Sequence, residues 1–116
     1  MLIIRGGQDL AGERSPEEMQ NHMQDWRVWM AGLAQQEKLI GGDPLYNEGK
    51  TFVGTDKKLI DRPLAEGKEL IGGYLLIKAQ HLDEACDIAQ ECPSFDFNAS
   101  VEVREIAPKP WLSIGQ

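Results

Sequence analysis

Apolar residues open the chain at Met1 to Ile4 and stop at Arg5-Gly6-Gly7, a pattern that predicts a short first strand. A polar loop follows from Gly6 to Arg14. Ser15-Pro16-Glu17-Glu18 then marks a helix start. The serine can cap free backbone N–H groups, the proline suits the first helical position, and Glu18 completes a capping box. Both glutamates suit the positive end of the helix dipole. Met19, Met23, Trp26, Met30 and Leu33 recur at spacings of four and three, which predicts one apolar stripe on a long helix ending near Gln36.

Lys38 to Ile40 begins a second strand, broken by Gly41-Gly42 and Pro44. Leu45-Tyr46 and Thr51-Phe52-Val53 flank Asn47-Glu48-Gly49-Lys50, which reads as a hairpin turn. Gly54-Thr55-Asp56 is a further turn before an extended piece, Lys57 to Ile60. Asp61 to Glu69 is a polar loop. Ile71 to Ala79 is the strongest strand in the chain, and Gly72-Gly73 near its start permits a bulge. Leu82 to Cys92 reads as a second helix with Leu82, Ala85, Cys86 and Ala89 on its buried face and Pro93 as its stop. Ser100 to Ile106 alternates as the last strand. The proline-rich segment from Ala107 to Trp111 cannot continue a central strand, so the domain is placed at 1–106 and a tail at 107–116.

The order is strand, helix, strands with a hairpin, strand, helix, strand. This predicts an α+β, ferredoxin-like domain with an extra hairpin. Two helices cover one face of such a sheet, yet Ile71 to Ala79 carries bulk on both: Tyr74 and Leu76 one way, Leu75 and Ile77 the other. A second copy of the chain is the expected cover for the other face, because large uncovered apolar faces are unusual in monomers and twofold dimers are the commonest oligomers.

The 116 residues suffice for one domain with its own core. A net charge of −7 disfavours nucleic acid, whose phosphates are bound by neutralising them with lysine and arginine. No apolar run reaches the roughly 20 residues of a membrane helix. With no export signal, the cytoplasm is the expected compartment. Cys86 and Cys92 sit too far apart on a helix for a disulfide, and without a Cys/His cluster no metal site is expected. Gly6-Gly7 and Gly41-Gly42 lack the spacing of a dinucleotide or phosphate loop, and neither histidine has a haem-ligand setting, so no cofactor is expected.

Asp61-Arg62-Pro63-Leu64-Ala65-Glu66-Gly67-Lys68-Glu69, followed by Ile71-Gly72-Gly73-Tyr74, resembles the signature of the DGPF proteins, part of the YCII-related group in the dimeric α+β barrel superfamily. Leu2-Ile3-Ile4, Ser15-Pro16-Glu17-Glu18-Met19, Leu39-Ile40-Gly41-Gly42, Leu82-Asp83-Glu84-Ala85 and Ser100-Val101-Glu102-Val103-Arg104 extend the resemblance along most of the chain. Two places depart from it: Arg62-Pro63-Leu64 stands for Gly-Pro-Phe, and Asn98-Ala99-Ser100 for Gly-Gly-Ser. The resemblance implies a homodimer whose sheets pack together, with a pocket between sheet and helices or at the barrel rim. It also implies an accessory role beside an extracytoplasmic-function sigma factor. The wider group is associated with a His–Asp pair, for which this sequence offers no match.

Two sets of residues are candidates for chemistry. His22, Asp25 and Trp29 share a helix edge, either as a pocket wall with a proton-exchanging histidine or as a solvated flank. In the Asp61 to Glu69 loop, Asp61, Arg62, Glu66 and Lys68 are able to hold a small polar ligand, or to be solvated turn charges. A cofactor-free proton transfer or hydrolysis would use Asp61 as base, Lys68 as electrostatic stabiliser, and Tyr74 or His22 as second proton donor.

Overall fold

A computed structural model describes residues 1–7, 14–64 and 70–112 of the chain; Glu66 and Lys68 of the candidate loop lie outside the described residues. The elements are β1 (Leu2–Arg5), α1 (Pro16–Gln35), β2 (Leu39–Pro44), β3 (Thr51–Val53), β4 (Lys58–Ile60), β5 (Ile71–Ile77), α2 (Leu82–Gln90) and β6 (Ser100–Val103), with 3-10 turns at Pro93–Phe97 and Pro110–Leu112. One sheet has the order β2-β5-β1-β6, and β3 and β4 form a separate ribbon. Every neighbouring pair in the sheet is antiparallel. β1–α1–β2 therefore leaves a gap that β5 fills, and β5–α2–β6 leaves a gap that β1 fills. This is the ferredoxin-like arrangement.

Local sequence explains the ends of α1. The Ser15 hydroxyl accepts from the Glu18 N–H at 3.1 Å, and the Glu18 carboxylate accepts from the Ser15 N–H at 3.5 Å, a complete capping box with Pro16 at the first helical position. At the other end Glu37 adopts φ 59°. The Glu37 N–H then reaches the Ala34 carbonyl at 3.0 Å and the Lys38 N–H reaches that of Leu33 at 2.8 Å. This is a Schellman stop formed on a glutamate rather than the usual glycine.

The helices cover one face of the sheet. Leu2, Leu75 and Ala89 are buried at its centre, with Ile4, Trp26, Trp29, Met30, Leu39, Ile77, Val101 and Val103 packed around them. Alternation along each strand puts Ile3, Tyr74 and Leu76 on the other face. Arg5, Glu102 and Arg104 flank that face on the β6 side, with Glu102 3.5 Å from Arg5 and 3.1 Å from Arg104.

Two strands carry bulges. Ile4 pairs with Gly73 but Arg5 with Ile71, so Gly72 is the extra residue expected from its glycine pair. Leu39 pairs with Ile77 and Gly41 with Leu76, which leaves Ile40 unpaired and exposed. The second bulge lets β2 run on through Gly41-Gly42, where the sequence predicts a break. Gly42 has φ 150°, and a Cβ there would lie 2.5 Å from the Tyr74 carbonyl oxygen. Only glycine allows β2 to pass β5 this closely. The hairpin is also displaced from its expected place. Its turn is not Asn47–Lys50 but the further turn expected at Gly54-Thr55-Asp56, which runs on to Lys57; Gly54 (φ 77°) and Lys57 (φ 55°) supply the left-handed geometry.

Candidate functional site

Glycines from three places in the sequence meet at one cavity. Gly6 and Gly7 leave β1, Gly42 lies in β2, and Gly72 and Gly73 start β5. Against this glycine backbone a space of about 420 Å³ opens between the sheet and α1. Met23, Trp26 and Met30 of α1 wall it on the helix side. Ser94, Phe97 and Ala99 close one end, and Pro44, Leu45 and Asn47 border the other. Met23 belongs to the apolar stripe of α1 yet is 41% exposed, because it lies where the cavity opens.

His22 is the ionisable side chain of α1 that lines this space, and it is only 8% exposed. Its position follows from helical spacing, three residues after Met19 and four before Trp26. The Trp26 indole N–H donates to His22 Nε2 at 3.0 Å. An indole only donates, so Nε2 is unprotonated and the neutral ring carries its proton on Nδ1. That Nδ1 is buried and has no hydrogen-bond partner among the described residues. The ring stacks on Phe97 with centroids 4.1 Å apart and planes 14° apart. Arg14 sits over Phe97 at 4.8 Å and donates to the Asp96 carbonyl at 2.6 Å. Trp26 in turn meets Trp29 edge-on at 5.5 Å. A cation, three aromatic rings and one imidazole thus form a continuous ladder that fixes the histidine.

Tyr74 and Asp43 also border the cavity, but their side chains extend from the opposite face of the sheet. The two residues are register partners, next to Leu75 and Gly42 on the helix-facing row. The Tyr74 hydroxyl donates to Asp43 Oδ2 at 2.8 Å. The Asp43 carboxylate holds the phenol above the usual tyrosine range, first because ionising it would lose this hydrogen bond and then because it would put two negative charges together. His22 and Asp43 are thus a histidine and an aspartate on one cavity whose side chains the sheet keeps apart.

The model of the YCII-related domain family matches residues 1–111. The chain belongs to the YCII-related family. No curated protein matches it. No described helix of this YCII-related domain is long and apolar enough to cross a membrane.

The other candidate residues of the YCII-related domain fall elsewhere. Asp61 is 3.3 Å from Lys50, and both are largely exposed. Together with Asn47, Arg62 and Pro63 they line a separate shallow depression, which shares only Asn47 with the cavity. The Arg62 carbonyl accepts from the Thr51 hydroxyl at 2.9 Å. Asp25 is exposed, and Trp29 is half-buried against the core and Trp26. Of the three residues that the sequence grouped on this helix edge, His22 lines the cavity and Asp25 and Trp29 do not.

Sequence reasoning missed Phe97, Ser94 and the glycine lining. Gly6-Gly7, Gly41-Gly42 and Gly72-Gly73 were visible in the sequence, and their convergence was the signal. Cys92 is buried with its Sγ 3.1 Å from the Ser94 hydroxyl, and burial pushes its thiol up, so it is a poor nucleophile. Among the described residues no group of His, Cys, Asp and Glu is arranged to hold a metal ion.

Proposed function

We propose that this YCII-related domain binds a small, largely apolar molecule in the glycine-lined cavity. The observation that carries this reading is a space of about 420 Å³ with apolar walls and one buried histidine. Volume and wall chemistry are those of small-molecule sites in general. Binding is supported better than catalysis by the candidate loop, because Asp61 faces Lys50 at a different depression. The test is the melting temperature of the purified chain against a library of apolar metabolites. Stabilisation by one compound class, weakened in Met23→Glu at the cavity opening, supports the reading. Absence of any stabilisation, with Met23→Glu indistinguishable from wild type, refutes it.

The same proposal includes a homodimer joined through the open sheet face. Ile3, Tyr74 and Leu76 lie on it as an apolar strip, flanked by Arg5, Glu102 and Arg104 on the β6 side and by Asp43 on the β2 side, an apolar middle between charged flanks as in stable interfaces. Light scattering at micromolar concentration should give twice the chain mass, and Leu76→Lys should halve it. A monomer mass for wild type refutes the dimer.

A second reading is an accessory protein of an extracytoplasmic-function sigma factor. One observation favours it: Phe52 and Leu59 on the β3–β4 ribbon and Trp111 near the C-terminus are exposed. A purified sigma factor should then bind the chain and lose binding in Phe52→Ser, while the ligand-induced melting shift stays unchanged.

A further inference from the structure

The two edges of the sheet differ in what they offer a further strand. β2 is blunted, because Ile40 bulges out of register and Pro44 has no N–H to give. β6 carries neither a bulge nor a proline from Ser100 to Val103, and no described strand lies beyond it. Its hydrogen-bonding direction follows from one end. The Met1 amine donates to the Arg104 carbonyl at 2.7 Å, and the Arg104 N–H donates to the Met1 carbonyl at 2.9 Å. The Arg104 backbone is thus turned toward β1, and by alternation so is that of Glu102, the register partner of Ile3. Val101 and Val103 then point their N–H and C=O groups away from the sheet. Outward strand groups of this kind are a template for another strand.

Charge decides which strand suits this edge. Between two antiparallel edges, outward-bonding residues must oppose one another. For two copies of β6 the twofold axis is then free to fall on any one residue. On Glu102 or on Arg104 it would set like charges directly opposite, which is destabilising. On Val101 it would bring Arg104 against Asn98, whose φ of 58° lies outside the strand region. On Val103 it brings Glu102 against Arg104 of the second copy, and Arg104 against Glu102 of the second copy. Opposite charges then meet twice. Both side chains have room to reach across, with exposures of 38% and 69%.

We propose that β6 pairs with β6 of a second copy, antiparallel and centred on Val103, joining two four-stranded sheets into one of eight strands. The contact lies at the sheet edge and is separate from the face-to-face homodimer proposed above. Strands of 4 residues bury less than the roughly 1,200 Å² of a stable interface, so the association is weak and concentration-dependent.

Sedimentation equilibrium from about 10 µM to about 1 mM spans the affinities of such contacts. The mass should double across that range from whatever value it has when dilute, so the outcome does not depend on the face-to-face dimer. Leu76→Lys should leave the doubling in place. Val103→Pro removes an outward N–H without touching the bonds to β1, and should abolish it. Arg104→Glu and Glu102→Arg each set like charges opposite at exposed positions, and neither alone should double. Their equimolar mixture should regain the doubling, because the two variants carry complementary edges. A wild-type mass that stays constant to the top of the range, or doubling that survives Val103→Pro, overturns the edge pairing. Doubling of either charge variant alone, or none in the mixture, overturns the register centred on Val103.

Discussion

Adjacent glycines in β2 should respond oppositely to a single methyl group. At Gly41 nothing lies within 4 Å of the point where a Cβ would stand, and its φ is not left-handed. Gly41→Ala is therefore expected to leave stability unchanged or raise it by about 0.4–1 kcal/mol, through a smaller unfolded-state entropy. At Gly42 the same methyl would lie 2.5 Å from the Tyr74 oxygen, 2.9 Å from Leu75 Cα and 3.2 Å from Leu75 Cγ, on a backbone with φ 150°. The strained backbone costs about 1–3 kcal/mol and the overpacking about the same again, so Gly42→Ala should lose about 2–6 kcal/mol. Domains of this size have roughly 6–17 kcal/mol in all. Urea unfolding followed by tryptophan fluorescence measures both variants, and their melting points should differ by roughly 10 °C or more. Because Gly42 borders the cavity, ligand binding should fall with it and not with Gly41→Ala. Two variants within about 0.5 kcal/mol of each other would show that close passage of β2 over β5 does not shape the cavity.

Phe97→Leu should destabilise by about 2–3 kcal/mol, since it removes the stack on His22 and the Arg14 contact while filling most of the space; a loss below about 1 kcal/mol in urea melts argues against the ladder. A double-mutant cycle with Arg14→Met should give a coupling of about 0.5–1 kcal/mol. Glu37→Gly should stabilise by about 0.5–1 kcal/mol by relieving a left-handed residue at the end of α1, and a melting point that falls instead contradicts the Schellman geometry. Acid should weaken the fold in a defined direction. Glu18 is held below the usual carboxylate range by the Ser15 N–H, Glu84 by the Gln80 N–H, and Glu102 by the Arg104 guanidinium. Their stabilisation is complete above the ordinary glutamate range and lost as pH falls through their lowered values. Urea midpoints that stay flat from neutral pH down through that range would refute the assignment.

What the sequence revealed and what it concealed follows from the range of each interaction. The start of α1 was legible because a capping box involves residues three apart, and the Gly72 bulge because paired glycines mark it locally. The two-faced β5 was legible because alternation is a property of one strand. The hairpin was assigned to Asn47-Glu48-Gly49-Lys50 because these are ordinary turn residues; the turn at Gly54-Thr55-Asp56 was read as well, but its last residue, Lys57, was taken as strand because lysine seldom takes positive φ. His22 reads as a flank beside Asp25, but its partners decide otherwise. Trp26 is one helical turn away and was within reach of a spacing argument; Phe97 comes from a 3-10 turn after α2, and no local pattern predicts their stack.

The same distinction bears on how the cavity is tuned. Glycines weaken strands by roughly 0.5–1 kcal/mol each relative to alanine, so Gly42, Gly72 and Gly73 around one space carry a stability cost that chain geometry must compel. At Gly42 and Gly73 it does: an added Cβ would meet backbone oxygen at 2.5 and 3.0 Å. Gly6 and Gly7 have positive φ of 76° and 84°, a conformation that side chains rarely adopt. The sheet side of the cavity is thus locked by backbone positions and cannot be reshaped by small substitutions. Met23, Met30 and Trp26 are free of that constraint, being side chains on a regular helix whose backbone bonds do not depend on them. If the cavity binds a ligand as proposed, selectivity in this YCII-related domain is set from α1, with the strands supplying a fixed floor.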